Sequence, residues 1–569
     1  MRKLLLITFV FTLALVANAK NPKISPDTNT STPGTIDVIV QFKHVPGATH
    51  RAKVASRGGV VKTDLSLIKS LHVSLKASEL VKLANDPEVA FISPNRIVKN
   101  HLNNATEAVI APYAWSLGLD GTGIGVAVID SGVHGTEDLK DAQGHNRIVY
   151  NYDSLGGGTD DGYGHGTHVA GIIGGNGKNS TCSGCDVVIR GMAPNAKIIN
   201  FHALDKNGTG TDASVITAID KAIQLKATYN IRVMNLSLGR PVYESYTQDP
   251  LCQAVERAWN AGIVVIVSAG NYGRDNSAGT NGYGTITAPG NDPYVITVGA
   301  TNTKNTPDRG DDVMASYSSK GPTAIDHIVK PDLVAPGNRI VSLQQSSGTL
   351  IKANPGNRPY KSYYTTATDL ALSDKYYILS GTSMAAPMVS GAAAMLLQKN
   401  AGMTPDQVKA RLMKSAWKNW PISSTVVDSG QTFVIQPDVF TVGAGYLDVQ
   451  SALSSTDLAP VTSGVAISPT AYFDATSGNV YIVSSNSALW GSSAMWGASA
   501  VWGSNQFTAG ESALWGSSAM WGSSALWGSS ALWGSSGTQG FSALWGSSAL
   551  WGSSSDATQA LSTMVNGEN

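Results

Sequence analysis

Two histidines three positions apart, His165 and His168, stand in the glycine-rich run GHGTHVAG. Imidazole changes charge near neutral pH, so each is a candidate metal ligand, general base or packed core residue. Helix-borne zinc histidines of the hydrolytic kind stand four apart with a glutamate between them, and further ligands are needed; this run offers neither. Asp130 closes the apolar run VAVIDSGV 35 residues earlier. An aspartate there can orient a histidine or simply form a turn. Ser383, in SGTSMAAP, stands at the start of a small-residue helix. Exposed N–H groups and the helix dipole favour developing negative charge at that point, although an ordinary N-cap serine looks the same. Asn271, in SAGN, follows another apolar run and can donate to an oxyanion or shape a turn. Each signal is modest alone. Together an acid, an imidazole and an alcohol make nucleophilic catalysis, in which the base removes the serine proton as the oxygen attacks.

These residues are far apart in the chain, so a fold must gather them. Between about 105 and 455, apolar runs alternate with helical stretches. The runs at 125–130, 232–238, 263–267 and 295–298 are rich in β-branched residues. Such near-continuous runs suit strands buried on both faces of a parallel sheet. Helices are expected at 213–227, at 251–260 and from Thr404 to about Ala416. The helix after Ser383 tolerates Pro387 if that residue falls in its first turn. The result is an α/β layered domain, whose sites lie outside the carboxyl ends of its strands. Residues 36–98 read as a small α+β unit, with strands at 36–42 and 89–92 and a helix at 77–84.

The order Asp130, His165, Asn271, Ser383, with the words DSG, HGTHVAG, SAGN and GTSMAAP, resembles the subtilisin-like serine proteases, the subtilases of the S8 family. NLSLG at 235–239 and KPDLVAPG at 330–337 belong to the same likeness, which covers about 105–455. VIVQFK and PEVAFISPN, within the small unit, resemble the inhibitory pro-domain of those proteases. The resemblance implies a parallel-sheet α/β catalytic domain with Asp130, His165 and Ser383 as its triad and Asn271 in the oxyanion hole. It implies that Ser237, Leu238 and Gly239 pair with an extended peptide. Ala269 and Gly270 then wall the pocket for the residue before the cut, with a floor near 287–289. His168 becomes a packed bystander. The chemistry requires no cofactor and no catalytic metal; structural calcium is implied by the resemblance alone, at no identified loop. Self-cleavage is expected near 95–105. Met388 and Ser390 depart from the residues many relatives carry, but they lie beyond the nucleophile. The approach to Ser383 over 343–377, with several Tyr, is longer than usual.

Bulk properties narrow the class further. The chain has 569 residues, enough for two to four domains. Lys+Arg and Asp+Glu balance at 40 each, so no net charge favours nucleic acid or an anionic membrane. Arg2 and Lys3, an apolar run and Ala17-Asn18-Ala19 form a secretory signal pattern over 1–19, and no later run is long enough to span a bilayer. Of three cysteines, Cys182 and Cys185 in a polar loop read most simply as a local staple, with the pairing among them and Cys252 left open.

The partition expected is a signal peptide at 1–19, a flexible leader at 20–35, an inhibitory pro-domain at 36–100 and a catalytic domain at 105–455. A linker and short β region follows at 456–485, then a repeat region at 486–556 and a polar tail at 557–569. The repeat steps by six residues around Trp-Gly, from Trp490 to Trp551. It suits a compact or self-associating solenoid edge, an adhesive segment in contact with the cell surface, or carbohydrate binding. The function expected is a secreted serine endopeptidase acting on protein or peptide substrates, made as a zymogen with its own pro-domain as inhibitor. The rivals are a non-catalytic surface or adhesive scaffold and an esterase; the latter usually shows a GxSxG elbow, which Ser383 lacks.

Overall fold

The computed structural model describes residues 21–25, 28, 34–94, 104–366, 371–421, 423–428, 430–461, 464–474, 479–483 and 562–568. The signal-type segment 1–19, most of the region expected to be cleaved and the Trp-Gly repeat lie outside them. The chain divides into two compact units between Lys99 and Asn100.

The first unit carries strands β1 (Thr35–Phe42), β2 (Val60–Leu65), β3 (Ser70–Lys76) and β4 (Val89–Pro94), paired antiparallel in the order β2-β3-β1-β4. Alternation in β1 buries Val38, Val40 and Phe42. The expected 77–84 helix begins as a 3-10 turn, Ala77–Glu79, and becomes α-helical only over Leu80–Ala84. The stretch read as a flexible leader is partly ordered. Ser25 N donates to Ile92 O at 2.9 Å and Ile92 N to Lys23 O at 2.7 Å, which covers the free edge of β4.

The second unit is built on an eight-stranded sheet: β5 (Gly125–Asp130), β6 (Ile148–Asp153), β7 (Lys197–His202), β8 (Ile231–Leu236), β9 (Val264–Ser268), β10 (Ile296–Asn302), β11 (Val313–Met314) and β12 (Leu333–Pro336). The spatial order is β11-β10-β9-β8-β5-β7-β6, with β12 also on β10. All pairings are parallel except β10 with β11. Every residue of β5, β9 and β10 is buried, which is why apolar residues run consecutively through β5 and β9 rather than alternating. The chain leaves β5 toward β6 and β7 and returns to its other flank at β8. That reversal opens a crevice at the carboxyl ends of the strands.

Two expected elements are shortened. The 232–238 run leaves the sheet after Leu236, because Arg240 and Ala288 exchange both backbone hydrogen bonds, at 3.0 and 2.8 Å. The 213–227 helix breaks at Leu225 into Asp212–Gln224 and Lys226–Tyr229. Pro250–Asn260 and Pro405–Ser415 form as read; Thr404 and Gln407 close a capping box on the latter.

The stretch read as a linker at 456–470 sends several of its described residues into the core of this unit. Ala459 and Ala466 are buried, Gln407 Nε2 donates to Ala459 O at 2.7 Å, and Ser468 Oγ donates to Asp332 at 2.6 Å. Asp332, from the KPDLVAPG word, is fully buried between Lys330 Nζ at 2.7 Å and Lys409 Nζ at 3.2 Å. The paired charges satisfy one another where water is excluded. No helix among the described residues is long and apolar enough to cross a membrane.

Candidate active site

Asp130 ends β5 and is fully buried. Its Oδ1 stands 2.8 Å from His165 Nδ1 and accepts Ser131 N at 2.7 Å. His165 opens the helix His165–Gly174, all of whose residues are buried. Gly166 permits the approach: a β-carbon there would lie 2.1 Å from Gly132 O and 3.1 Å from Asp130 Cβ. Burial works against protonating the His165 ring, but the charge of Asp130 and the hydrogen bond the ring donates to it outweigh burial, so the ring titrates above its ordinary value. Bonding Nδ1 to a carboxylate leaves Nε2 as the basic nitrogen.

The helix start has a partner that the sequence reading passed over. Gly164, at the N-cap, has no side chain to offer, and Asp161 supplies it. Asp161 accepts Gly164 N at 2.6 Å, Thr167 N at 2.8 Å, Thr167 Oγ1 at 2.7 Å and Ser131 Oγ at 2.9 Å. Gly166 N in turn donates to Ser131 Oγ at 3.0 Å. One buried carboxylate thus fixes both the Asp130 turn and the His165 helix. An aspartate three positions before a glycine cap was the available signal, hidden among turn-forming glycines.

His168 is enclosed one turn along. Its Nε2 lies 3.1 Å from both Ile340 O and Tyr377 O. Burial first, then the nearby His165, push it down to about 3, so it stays neutral.

Ser383 is the second residue of the helix Thr382–Lys399, which packs against the His165 helix. Pro387 does not fall in the first turn as expected; it lies one turn further in. A proline there lacks the N–H that would bond to the carbonyl four residues back, which is Ser383 O. Ser237 fills the gap: its Oγ donates to Ser383 O at 2.8 Å, and Ser383 Oγ donates to Ser237 O at 3.2 Å. Asn235 Nδ2 donates to Ser237 Oγ at 2.9 Å, and Ser390 Oγ to Asn235 Oδ1 at 2.8 Å. The departure at Ser390 therefore joins the chain of bonds that holds Ser383 to β8.

Asn271 follows β9. Its Oδ1 accepts Thr382 N at 2.9 Å and Thr382 Oγ1 at 3.1 Å. Those bonds fix the amide orientation and leave Nδ2 free to donate. Among the described residues neither Asn271 Nδ2 nor Ser383 N has an acceptor. Gly270 N donates to Thr382 Oγ1 at 3.1 Å, tying the loop after β9 to the same helix.

His165, Ser237, Leu238, Gly239, Ser383 and Met564 line one open cleft of about 380 Å³. Ala269, fully buried, and Gly270 stand on the loop beyond β9. Gly239 and Gly270 both pack on Thr287: a β-carbon on either would come within 2.5 and 2.8 Å of its side chain, respectively. Cys182 and Cys185 are joined in a disulfide, and Cys252 is a buried free thiol whose ionisation burial suppresses. Among the described residues no cluster of three or more His, Cys, Asp or Glu is arranged for a metal. The arrangement can supply a base and a hydroxyl nucleophile at one cleft, with two unpaired N–H donors at the start of the Ser383 helix.

Residues 121–445 match the Subtilase family. Serine protease AprX of Bacillus subtilis (strain 168) is 39% identical over 404 residues, covering 68% of this chain and 83% of its own length. Subtilisin E of the same organism is 30% identical over 421 residues, 73% of this chain and 94% of its own. The extracellular serine proteinase of Thermus sp. (strain Rt41A) is 32% identical over 378 residues, 63% of this chain and 74% of its own.

Proposed function

The chain belongs to the subtilase family and is a subtilisin-type serine endopeptidase, and from that premise we propose that Asp130, His165 and Ser383 are its triad, with Asn271 and Ser383 N as the oxyanion donors. The Ser383 hydroxyl leaves the Ser237 carbonyl, turns to His165 Nε2 and attacks the scissile carbonyl as the ring takes its proton. Asp130 keeps the ring in the productive tautomer and stabilises the imidazolium, which then protonates the leaving amine. Asn271 Nδ2 and Ser383 N receive the charge that develops on the carbonyl oxygen.

An extended peptide pairs with Ser237, Leu238 and Gly239, whose backbone lies past the end of β8, by adding a strand. Ala269, Gly270 and Thr287 bound the side-chain pocket beside it. The protein is exported by residues 1–19 and made as a zymogen in which 36–100 inhibit the catalytic unit. A relative described as extracellular supports export. The repeat at 486–556 serves self-association or contact with a cell surface.

The single observation that carries the triad is His165, bonded at 2.8 Å to a fully buried carboxylate while opening onto the cleft that Ser383 lines. Fluorophosphonate labelling tests it. Label is expected on the secreted protein and absent from Ser383→Ala, and intact mass of the two reports self-processing. Label that persists in Ser383→Ala removes the assignment; an unlabelled protein leaves the adhesive scaffold in its place.

A further inference from the structure

Residues 562–568, read from composition as part of a polar tail, are docked on the catalytic unit. Thr563, Gly567 and Glu568 are buried, and Met564 lines the same cleft as His165 and Ser383. Met564 O accepts Ser380 N at 2.9 Å, three residues before the candidate nucleophile. Asn357 Nδ2 donates to Val565 O, and Arg339 Nη1 to Asn566 O at 3.2 Å.

The tightest contact is at Glu568. Its Oε2 accepts Ser316 N at 3.0 Å, Ser316 Oγ and Arg274 Nη2 at 3.1 Å. Its backbone exchanges two bonds with one side chain: Asn338 Nδ2 donates to Glu568 O at 2.7 Å, and Glu568 N donates to Asn338 Oδ1 at 2.9 Å. Arg274 is held independently of Glu568. It pairs with Asp428 at 2.6 Å, donates to Ser316 Oγ at 2.8 Å and lies over the Phe433 ring at 4.6 Å. The other carboxylate oxygen, Oε1, is buried without a partner among the described residues, a cost that weakens the docking.

We propose that Arg274 and Ser316 form a carboxylate-binding subsite beside the cleft, with Asn338 gripping the backbone of the residue that carries the carboxylate, and that residues 562–568 occupy it as an intramolecular strap that competes with substrate. A buried carboxylate is costly unless donors await it, and here three donors converge on one oxygen. Because the strap is part of the same chain, docking is intramolecular and modest contacts suffice to hold it. The inference rests on the reading of His165 and Ser383 as catalytic.

Two substitutions undock the strap without touching that machinery. Glu568→Ala removes the carboxylate. Gly567→Val places a β-carbon 2.5 Å from Ser380 Oγ, at a backbone φ of +68° that favours glycine. Losing the charge-assisted bonds shifts docked against free strap by about tenfold. On protein whose intact mass still includes residue 568, both variants are expected to raise kcat/KM for a short peptide amide, by up to that factor, and the fluorophosphonate labelling rate with it. A synthetic Ser562–Asn569 peptide is expected to inhibit Glu568→Ala competitively, and the same peptide with Gln in place of its Glu to inhibit at least severalfold less. Unchanged rates in both variants, or no inhibition by the peptide, overturn the strap. The underlying reading fails separately, if labelling does not depend on Ser383.

Discussion

The bond between Ser237 and Ser383 allows a sharp test of how the candidate nucleophile is held. Pro387 deprives Ser383 O of its helical donor, and Ser237 Oγ replaces it at 2.8 Å. Ser237→Ala leaves two groups without partners, the part-buried Ser383 O and the fully buried Asn235 Nδ2. Each costs about 1–3 kcal/mol when buried and unpaired. Pro387→Ala restores an N–H four residues after Ser383, aimed by helix geometry at its carbonyl. In that background Ser237→Ala orphans only Asn235 Nδ2. The two changes should therefore couple by about 1–2 kcal/mol, with the double variant more stable than the sum of singles implies. The loss of packing around the proline ring cancels in the cycle. Urea unfolding of the four proteins, all carrying Ser383→Ala to prevent autolysis, reads the coupling from midpoints at constant m. Additivity within about 0.5 kcal/mol would refute the claim that Ser237 substitutes for the missing helical bond.

Three further outcomes follow from the same geometry. The acid limb of kcat/KM should lie above the ordinary imidazole value of 6.5, because Asp130 holds the His165 proton in the folded protein; activity is lost as pH falls through that raised value. The linked stability runs the other way, complete below the unfolded value and lost as pH rises through the folded one. Asp130→Asn should lower kcat by about 10⁴ and move the limb downward, since only the charge of Asp161 then opposes burial; a limb that stays in place would deny Asp130 its role. Asn271→Ala should lower kcat by about 10²–10³ with little change in KM, a magnitude taken from the corresponding donor of a subtilisin rather than worked from these distances; a loss confined to KM would make Asn271 a substrate contact. Asp161→Ala should cost about 3 kcal/mol or more in unfolding free energy and lower kcat with it, because the His165 helix loses its cap and Ser131 its acceptor; a stable variant with full kcat would detach Asp161 from the site.

The sheet was legible because burial on both faces writes itself into consecutive residues: VAVI and VVIV are apolar throughout where β5 and β9 are buried throughout. The candidate site was legible because its residues sit in short words at strand ends and helix starts. What escaped shares one physical cause. A polar residue needs only one matched partner to be buried, and nothing local records where that partner is. Glu568 is buried by Arg274, 294 positions away, and Ser237 by Ser383, 146 away. Ser468 reaches Asp332 across 136. Composition reports how a segment is solvated on average, so Ser, Thr and Pro at 456–470 read as a linker. Ala459 and Ala466, too small to register as an apolar run, fill the core there. Asp161 is the instructive exception, because all its partners but Ser131 lie within six residues. It was missed because DGYG reads as a turn, and a turn and a helix cap place an aspartate before the same unpaired N–H groups. Only the position of the helix start separates the two. The close approach to Gly132 and Asp130 that keeps Gly166 free of a side chain is itself a long-range fact, so even this local reading waited on contacts made far along the chain.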